Sequence, residues 1–286
     1  MSYQYLHSKA PILVTGGDGL LGFELTHFLR QKIGHGQVIS LNRLLLDITK
    51  PEKVREVVEE CRPKLIINAA GYTKVDDAER EKDMASAANV DGPKTLARVA
   101  QEIGAMMIHF STDQVFDGTG NVPLTEEDTP NPINYYGLTK LKGEEYVLRY
   151  RESIVLRVQW IYGRVKNRFA TLKRQSTFQT FNDRFGAPIW TRDISEIVWA
   201  LIEKPTFGLF HVAYDDYASF TEIYDFIKEE AKLSVKLTPI ATEEAHLVAR
   251  RPKFTVLSNA KLKDTLGVKK IGSWQNSLRH FIKENF

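Results

Sequence analysis

Pro11-Ile-Leu-Val-Thr15, followed without a break by Gly16-Gly-Asp-Gly-Leu-Leu-Gly22, decides how this chain reads. A short apolar run stops at glycines spaced GxxGxxG, and Phe23–Ile33 then carries apolar residues at Leu25, Phe28, Leu29 and Ile33. That order predicts a strand, a tight glycine turn and an amphipathic helix. Glycines suit such a turn because it is sharp, because its backbone can approach a pyrophosphate, and because the helix can pack close to the strand. The helix start supplies N–H donors to phosphates. Gly16, Gly19, Leu20, Leu21 and Gly22 are therefore expected to cradle a dinucleotide.

The alternation continues outward. Val38–Leu41 reads as a strand, Pro51–Cys61 as a helix with Pro at its start and Val54, Val57 and Val58 on one face, and Lys64–Ala69 as a third strand. Ala85–Gly104 reads as one long helix that tolerates Pro93 as a kink or a boundary. Ala105–Phe110 is a fourth strand, residues 117–134 a long loop, Tyr135–Arg149 a helix and Ser153–Val158 a strand. Strands separated by helices at these intervals predict a parallel sheet covered on both faces. Beyond Tyr162 the rhythm loosens: Arg164–Thr180 is basic and mixed, Ile194–Ile202 helical, Leu209–Ala213 a short strand, and Ser219–Ala231 a helix capped by Ser219 or Thr221. Residues 250–286 carry two more helices. The expected division is 1–162 for the cofactor domain and 163–286 for a smaller α/β substrate lobe, with segments near 177–212 returning to the main sheet.

Composition sets the outer limits. The chain has 286 residues, 43% hydrophobic and 26% charged, which fits a folded globular protein and excludes a disordered or disulfide-stapled one. Its single Cys61 cannot form an intrachain disulfide, and no apolar run is long enough for a membrane helix, so the expected location is cytoplasmic. Met1–Ala10 reads as a short extension before the first strand. The net charge of +3 divides unevenly, −3 over residues 1–162 and +6 over 163–286. That lean is too dispersed for nucleic acid and suits a partner with a few phosphates. The candidate phosphate contacts are Arg168, Arg174, Arg184, Arg192, Arg250 and Arg251. The seven histidines show no metal-ligand spacing, and no metal is expected.

Cofactor preference is read from the end of the second strand. An NAD site usually carries an acidic residue there to hold the adenosine ribose, whereas this chain has Leu41-Asn42-Arg43. Without a carboxylate to repel a 2′-phosphate and with Arg43 able to pair with one, NADPH is expected, NADH being the alternative. Asp47 and Ile48 are expected at the adenine, and Ala69, Ala70 and Gly71 are small enough to let a nicotinamide ribose lie close. Tyr136 and Lys140, four residues apart on one helical face, bring an ammonium to a phenol and favour its ionisation. Ser111-Thr112-Asp113 follows the fourth strand, at the carboxyl edge where ligands bind in such sheets.

With these residues in view, the chain resembles the extended short-chain dehydrogenase/reductases that modify nucleotide sugars, and within them the dTDP-4-dehydrorhamnose reductase family. The stretches that carry the resemblance include Val14–Gly22, Ile67–Glu79, Ser111–Gly118, Tyr136–Lys140 with Gly143-Glu144, Leu156–Gly163, Asp183–Pro188 and Arg251-Pro252. The resemblance implies a Rossmann-type doubly wound parallel sheet and reduction of the C4 keto group of a 4-keto-6-deoxy nucleotide sugar, the last step in making an activated deoxysugar. It implies Tyr136 as proton donor, Lys140 on the cofactor ribose and Thr112 on the keto oxygen. Val75, Asp76, Thr112, Asp113, Gln114, Trp160 and Arg184 would line the sugar site. Family members commonly have Tyr where this chain has Gln114, and Gln where it has Arg184. Partners implied are the nucleotide sugar and, at most, a second copy in a homodimer. An NAD-retaining nucleotide-sugar epimerase and a non-catalytic subunit resembling the methionine adenosyltransferase β subunit are the alternatives.

Overall fold

The computed structural model describes residues 11–286, apart from the side chain of Arg168; the Met1–Ala10 extension lies outside the described residues. The first half is a regular alternation. β1 (Ile12–Thr15) leads into α1 (Leu20–Ile33), followed by β2 (Val38–Leu41), α2 (Pro51–Cys61) and β3 (Leu65–Asn68). Next come α3 (Lys82–Ser86), a π-helical turn (Ala87–Asp91), α4 (Gly92–Ile103), β4 (Met106–Thr112), α5 (Tyr135–Leu148) and β5 (Ser153–Val158).

The second half contributes β6 (Thr177–Phe181), β7 (Phe185–Gly186), α6 (Thr191–Glu203), β8 (Gly208–Val212), β9 (Ala218–Ser219), α7 (Phe220–Glu230), β10 (Lys236–Ile240), α8 (Ala260–Leu266) and α9 (Trp274–Asn285). The main sheet has six strands in the order β2-β1-β3-β4-β5-β8, every pair parallel. The chain leaves β1 toward β2 and leaves β3 the opposite way toward β4, and that reversal opens a crevice at the carboxyl ends of both strands. Two smaller pairings, β10 with β6 and β7 with β9, lie in the second half.

Both faces of the sheet are covered, which is why its strands read as unbroken apolar runs. Successive residues point to opposite faces. Ile12 and Val14, Leu65 and Ile67, and Ile154 and Leu156 enter one core with α1, α6, α7 and α9. Leu13, Ile66, Met107 and Val155 enter the other with α2 and α4. Of the two expected caps, Ser219 and Thr221, it is Ser219 that begins α7, with a reciprocal capping box to Glu222.

Two elements depart from the sequence reading. Helix α1 starts at Leu20 rather than Phe23, so Gly22 lies inside its first turn, where a Cβ would come within 2.2 Å of the Gly16 carbonyl oxygen. The expected long helix 85–104 is present from Lys82 to Ile103, but it carries a π turn at Ala87–Asp91 that the sequence reading did not include. Pro93 then falls in the opening turn of α4, where a missing N–H does least harm. No helix among the described residues is long and apolar enough to cross a membrane.

Candidate active site

Three neighbouring central strands, β1, β3 and β4, each contribute one polar residue to a seam. Thr15 Oγ1 on β1 donates to Asn68 Oδ1 on β3 at 2.7 Å, and Asn68 Nδ2 donates to His109 Nδ1 on β4 at 3.0 Å. His109 is fully buried, and burial followed by the Lys140 charge holds its imidazole well below the usual range.

The glycine turn sits directly above. Gly16 has φ +66°, and a Cβ there would lie 2.8 Å from the Ala70 nitrogen, so the turn and the end of β3 touch backbone to backbone. The N-cap of α1, Gly19, provides no side-chain hydrogen bond, and its first turn holds no acidic residue. The N–H groups of Leu20, Leu21 and Gly22 therefore form a positive helix end with no acidic side chain in its first turn, which fits a pyrophosphate.

Beside it, Asn42 Oδ1 caps the N–H groups of Leu44 and Leu45, and the largely exposed Arg43 pairs with Asp47 at 3.5 Å. Burial would raise the Asp47 carboxyl, but hydrogen bonds from Thr49 and the charge of Arg43 outweigh it and hold it low. Ile48, expected at the adenine with Asp47, has its side chain in the apolar core. It is 5% exposed and packs where a Cβ on Gly92 would come within 2.7 Å of it, because the apolar core claims it.

Helix α5 carries the phenol and the amine. Its N-cap Asn134 accepts from the Gly137 N–H at 2.7 Å, and its Nδ2 donates to Gln114 Oε1 and to the Arg250 carbonyl, both at 2.9 Å. Gln114 thus meets the start of the Tyr136 helix. The helix lies hard against the π turn: a Cβ on Gly143 would sit 2.0 Å from the Asn89 carbonyl oxygen, while Asn89 Nδ2 donates to Thr139 Oγ1 at 3.0 Å. Lys140 Nζ donates to the Phe110 carbonyl at 2.5 Å and lies close to Gly71. Burial pulls its ammonium down to about 8, against the pull of Glu144.

The expectation that Lys140 lowers the phenol is not met in this arrangement, because the amine turns to Phe110. The Tyr136 phenol is instead pushed up to about 12, by desolvation first and by the nearby Asp113 carboxylate. The Thr112 hydroxyl lies in hydrogen-bonding reach and pulls the other way.

Behind α5, Glu144 and Arg157 form a doubly hydrogen-bonded pair at 2.5 and 3.1 Å with both side chains 2% exposed. Arg157 also meets His211 Nε2 at 3.3 Å and covers the Phe116 ring. Asp113 is buried and accepts from Thr112 Oγ1 at 3.0 Å, Gln159 Nε2 at 2.9 Å and Thr255 Oγ1 at 2.6 Å. Burial raises its carboxyl, opposed by those bonds and by the Arg184 charge.

Trp160, half-buried with φ +44°, stands edge-on to Phe220, and the Arg184 guanidinium lies over the rings of Trp160, Phe181 and Phe220. Asp76, beside the half-buried Val75, keeps a side chain 40% exposed but is engaged on its inner side. It binds Arg251 at 2.6 Å and accepts from the Ala249 N–H, tying the two halves of the chain together. Arg174 and Arg250 are exposed, and Arg192 pairs with Glu284 on the surface. Among the described residues no group of His, Cys, Asp and Glu is arranged to hold a metal ion. Asn89, Asn134 and Thr255 were not singled out from the sequence, and Glu144 and Gln159 lay in the stretches that carry the resemblance without a role of their own; Asn134, a good N-cap residue directly before the α5 run, carried a local signal.

The comparisons come down on one family. The model of the RmlD substrate binding domain matches residues 10–286. The spore coat polysaccharide biosynthesis protein SpsK of Bacillus subtilis is 34% identical, over 96% of this chain and 97% of its own. A dTDP-4-dehydrorhamnose reductase of Burkholderia thailandensis is also 34% identical, over 90% and 93%. The crystal structure of dTDP-4-dehydrorhamnose reductase from Bacillus anthracis in complex with NADP superposes with a TM-score of 0.92 at 32% identity, covering 97% of this chain and all of the other.

Proposed function

The chain belongs to the dTDP-4-dehydrorhamnose reductase family, and on that footing we propose that it reduces the C4 keto group of a 4-keto-6-deoxy nucleotide sugar with NADPH, converting dTDP-4-dehydro-L-rhamnose to dTDP-L-rhamnose. The observation that carries this reading is the meeting of Thr112, Tyr136 and Lys140 at the carboxyl edge of the sheet, beside a glycine turn built for a pyrophosphate.

NADPH, when bound, supplies the hydride that reaches the C4 carbon. Gly16, Gly19 and the N–H groups of Leu20, Leu21 and Gly22 would hold its pyrophosphate, Asn42 and Arg43 its 2′-phosphate, and Ala69, Ala70 and Gly71 the nicotinamide ribose. Tyr136 gives its phenolic proton to the C4 oxygen, so that the carbonyl becomes an alcohol. Lys140, beside Gly71, would hold the cofactor ribose, and solvent returns a proton to Tyr136 after each turnover. Thr112 hydrogen-bonds the same oxygen. Trp160 offers an aromatic wall to the pyranose, and Arg184, drawn to that wall by its ring contacts, adds a positive charge for the diphosphate.

The cytoplasm is the proposed location, and a homodimer the proposed assembly, measurable by light scattering. The test is consumption of NADPH with dTDP-, UDP- and GDP-linked 4-keto sugars. Turnover with the dTDP sugar, lost in Tyr136→Phe, is expected. Absence of turnover with every sugar of the panel would leave the non-catalytic reading standing.

A further inference from the structure

Gln114 stands where family members commonly have Tyr, and the hydrogen bonds around it fix which way its amide faces. Its neighbour Asn134 is oriented by two backbone groups that cannot exchange roles. Asn134 Oδ1 accepts from the Gly137 N–H at 2.7 Å, and its Nδ2 donates to the Arg250 carbonyl at 2.9 Å. The second hydrogen of that Nδ2 goes to Gln114 at 2.9 Å, so the Gln114 atom that meets it must be the oxygen. A reversed amide would set NH2 against NH2.

The consequence falls on the other end of the amide. Gln114 Nε2 keeps two hydrogens that meet no acceptor among the described residues. The side chain is half-buried where the two halves of the chain meet. Its own N–H donates to Thr112 Oγ1 at 3.2 Å, its carbonyl oxygen would lie 2.1 Å from a Cβ on Gly137, next to Tyr136, and Arg250 arrives from the second half through Asn134. The place where Thr112 and Tyr136 would hold the keto oxygen is thus flanked by a side-chain group that can donate and cannot accept. A tyrosine hydroxyl does either.

A carbonyl oxygen has two lone pairs, and in the reductase reading the hydroxyls of Thr112 and Tyr136 take both. The next hydroxyl of a 4-keto-6-deoxypyranose is the one on C3, because the carbon on the other side of C4 carries the methyl group and the ether oxygen of the ring. We propose that Gln114, aimed by Asn134, determines specificity at C3: its Nε2 donates to a hydroxyl oxygen there, and the site discriminates against a sugar with hydrogen or ammonium in its place. An ammonium has hydrogens only and would face Gln114 donor to donor. This assignment rests on the reductase function proposed above and narrows its substrate to 4-keto-6-deoxy sugars that keep the C3 oxygen.

Calorimetry on the protein loaded with NADP+ tests this without turnover, using dTDP-L-rhamnose, its 3-deoxy analogue and its 3-amino analogue in the ammonium form. The wild type is expected to bind the 3-deoxy sugar about tenfold more weakly than dTDP-L-rhamnose, and the 3-amino sugar more weakly still. Gln114→Leu should bring the hydroxyl and deoxy sugars to within about twofold of each other. Gln114→Glu, with an acceptor in place of the NH2, should bind the ammonium sugar more tightly than the hydroxyl one. Asp113 and Arg184 are common to all three proteins, so their charges cancel when the ratios are compared. A wild type that binds the hydroxyl and deoxy sugars alike, a Leu variant that keeps the wild-type ratio, or a Glu variant that keeps the wild-type order overturns the proposal. Neutron diffraction on the deuterated wild-type protein reads the orientation directly: the Gln114 deuterons are expected on the atom facing away from Asn134, and deuterons on the atom facing it overturn the proposal. Neither measurement consumes NADPH, so a protein that shows this selectivity and never turns over loses the reductase reading alone, and one that turns over without the selectivity loses this proposal alone.

Discussion

Replacing Arg157 by Met tests how the helix that carries Tyr136 and Lys140 is anchored. Arg157 reaches Glu144 through two hydrogen bonds, at 2.5 and 3.1 Å, with both side chains 2% exposed. It also contacts His211 Nε2 at 3.3 Å and the Phe116 face at 5.0 Å. Met fills similar volume but leaves the Glu144 carboxylate buried without its cation. Breaking a buried pair from one side costs about 3–5 kcal/mol, whereas replacing both partners by apolar residues is often nearly neutral. Arg157→Met is therefore expected to lose about 3–5 kcal/mol and roughly 6–15 °C in Tm. Glu144→Leu combined with Arg157→Met should return to within about 1.5 kcal/mol of the wild type.

Activity should fall with the single change, because Glu144 stands one turn from Lys140 and an unpaired carboxylate draws the Nζ away from Phe110. Urea unfolding followed by circular dichroism measures the difference, provided the slope stays constant. A cost under about 1 kcal/mol for the single change, or a double variant as weak as the sum of its parts, would refute the anchoring argument.

Other expectations are briefer. Lys140 holds its proton only up to about pH 8, so kcat/KM for reduction should decline above that point, and Lys140→Met should remove the limb; a limb that survives the change contradicts the assignment. The same depressed value leaves the unfolded chain binding more protons than the folded one between about 8 and 10.5, so this group's contribution to stability rises with pH across that window and should vanish from the profile of the Met variant. His211, held down to about 3 by burial and Arg157, acts at the acid end: stability it provides above its ordinary 6.5 is lost as pH falls toward 3, and His211→Gln should flatten that part of the Tm profile. Arg43→Ala should weaken NADPH by about tenfold relative to NADH, measured as the ratio of KM values; an unchanged ratio would assign the 2′-phosphate to another group. Gly143→Ala would press a Cβ to 2.0 Å from a backbone oxygen of Asn89, and loss of soluble folded protein or of most activity is expected.

Much of the fold was legible because a parallel sheet covered on both faces writes its strands as plain apolar runs, and the helices between them carry ordinary start signals such as Pro51 and Ser219. The limits of local reading show in particular residues. Ile48 was recognisably aliphatic, but whether it meets a ring or Gly92 is decided by packing between segments. The spacing of Tyr136 and Lys140 gives proximity, not direction, and the carbonyl that turns the amine aside belongs to Phe110, thirty residues earlier. Asp113 with Thr255, and Asp76 with Arg251, join residues 142 and 175 positions apart, a separation over which no periodicity carries information. Trp160 adopts a left-handed backbone that its residue type disfavours, so nothing in its neighbourhood announced it.

The two faces of the central sheet also finish at different times. Every fully buried member of the core that holds Leu13 and Ile66 lies at or before Val155, while the opposite core needs Phe281 and Ile282 from α9. A ribosome adds the 127 residues between Val155 and Ile282 in roughly 6–25 s. Through that interval the nascent chain carries one apolar surface with its buried members complete and one covered early only by α1, and the incompletely covered surface is where a chaperone would hold it until the last helix emerges.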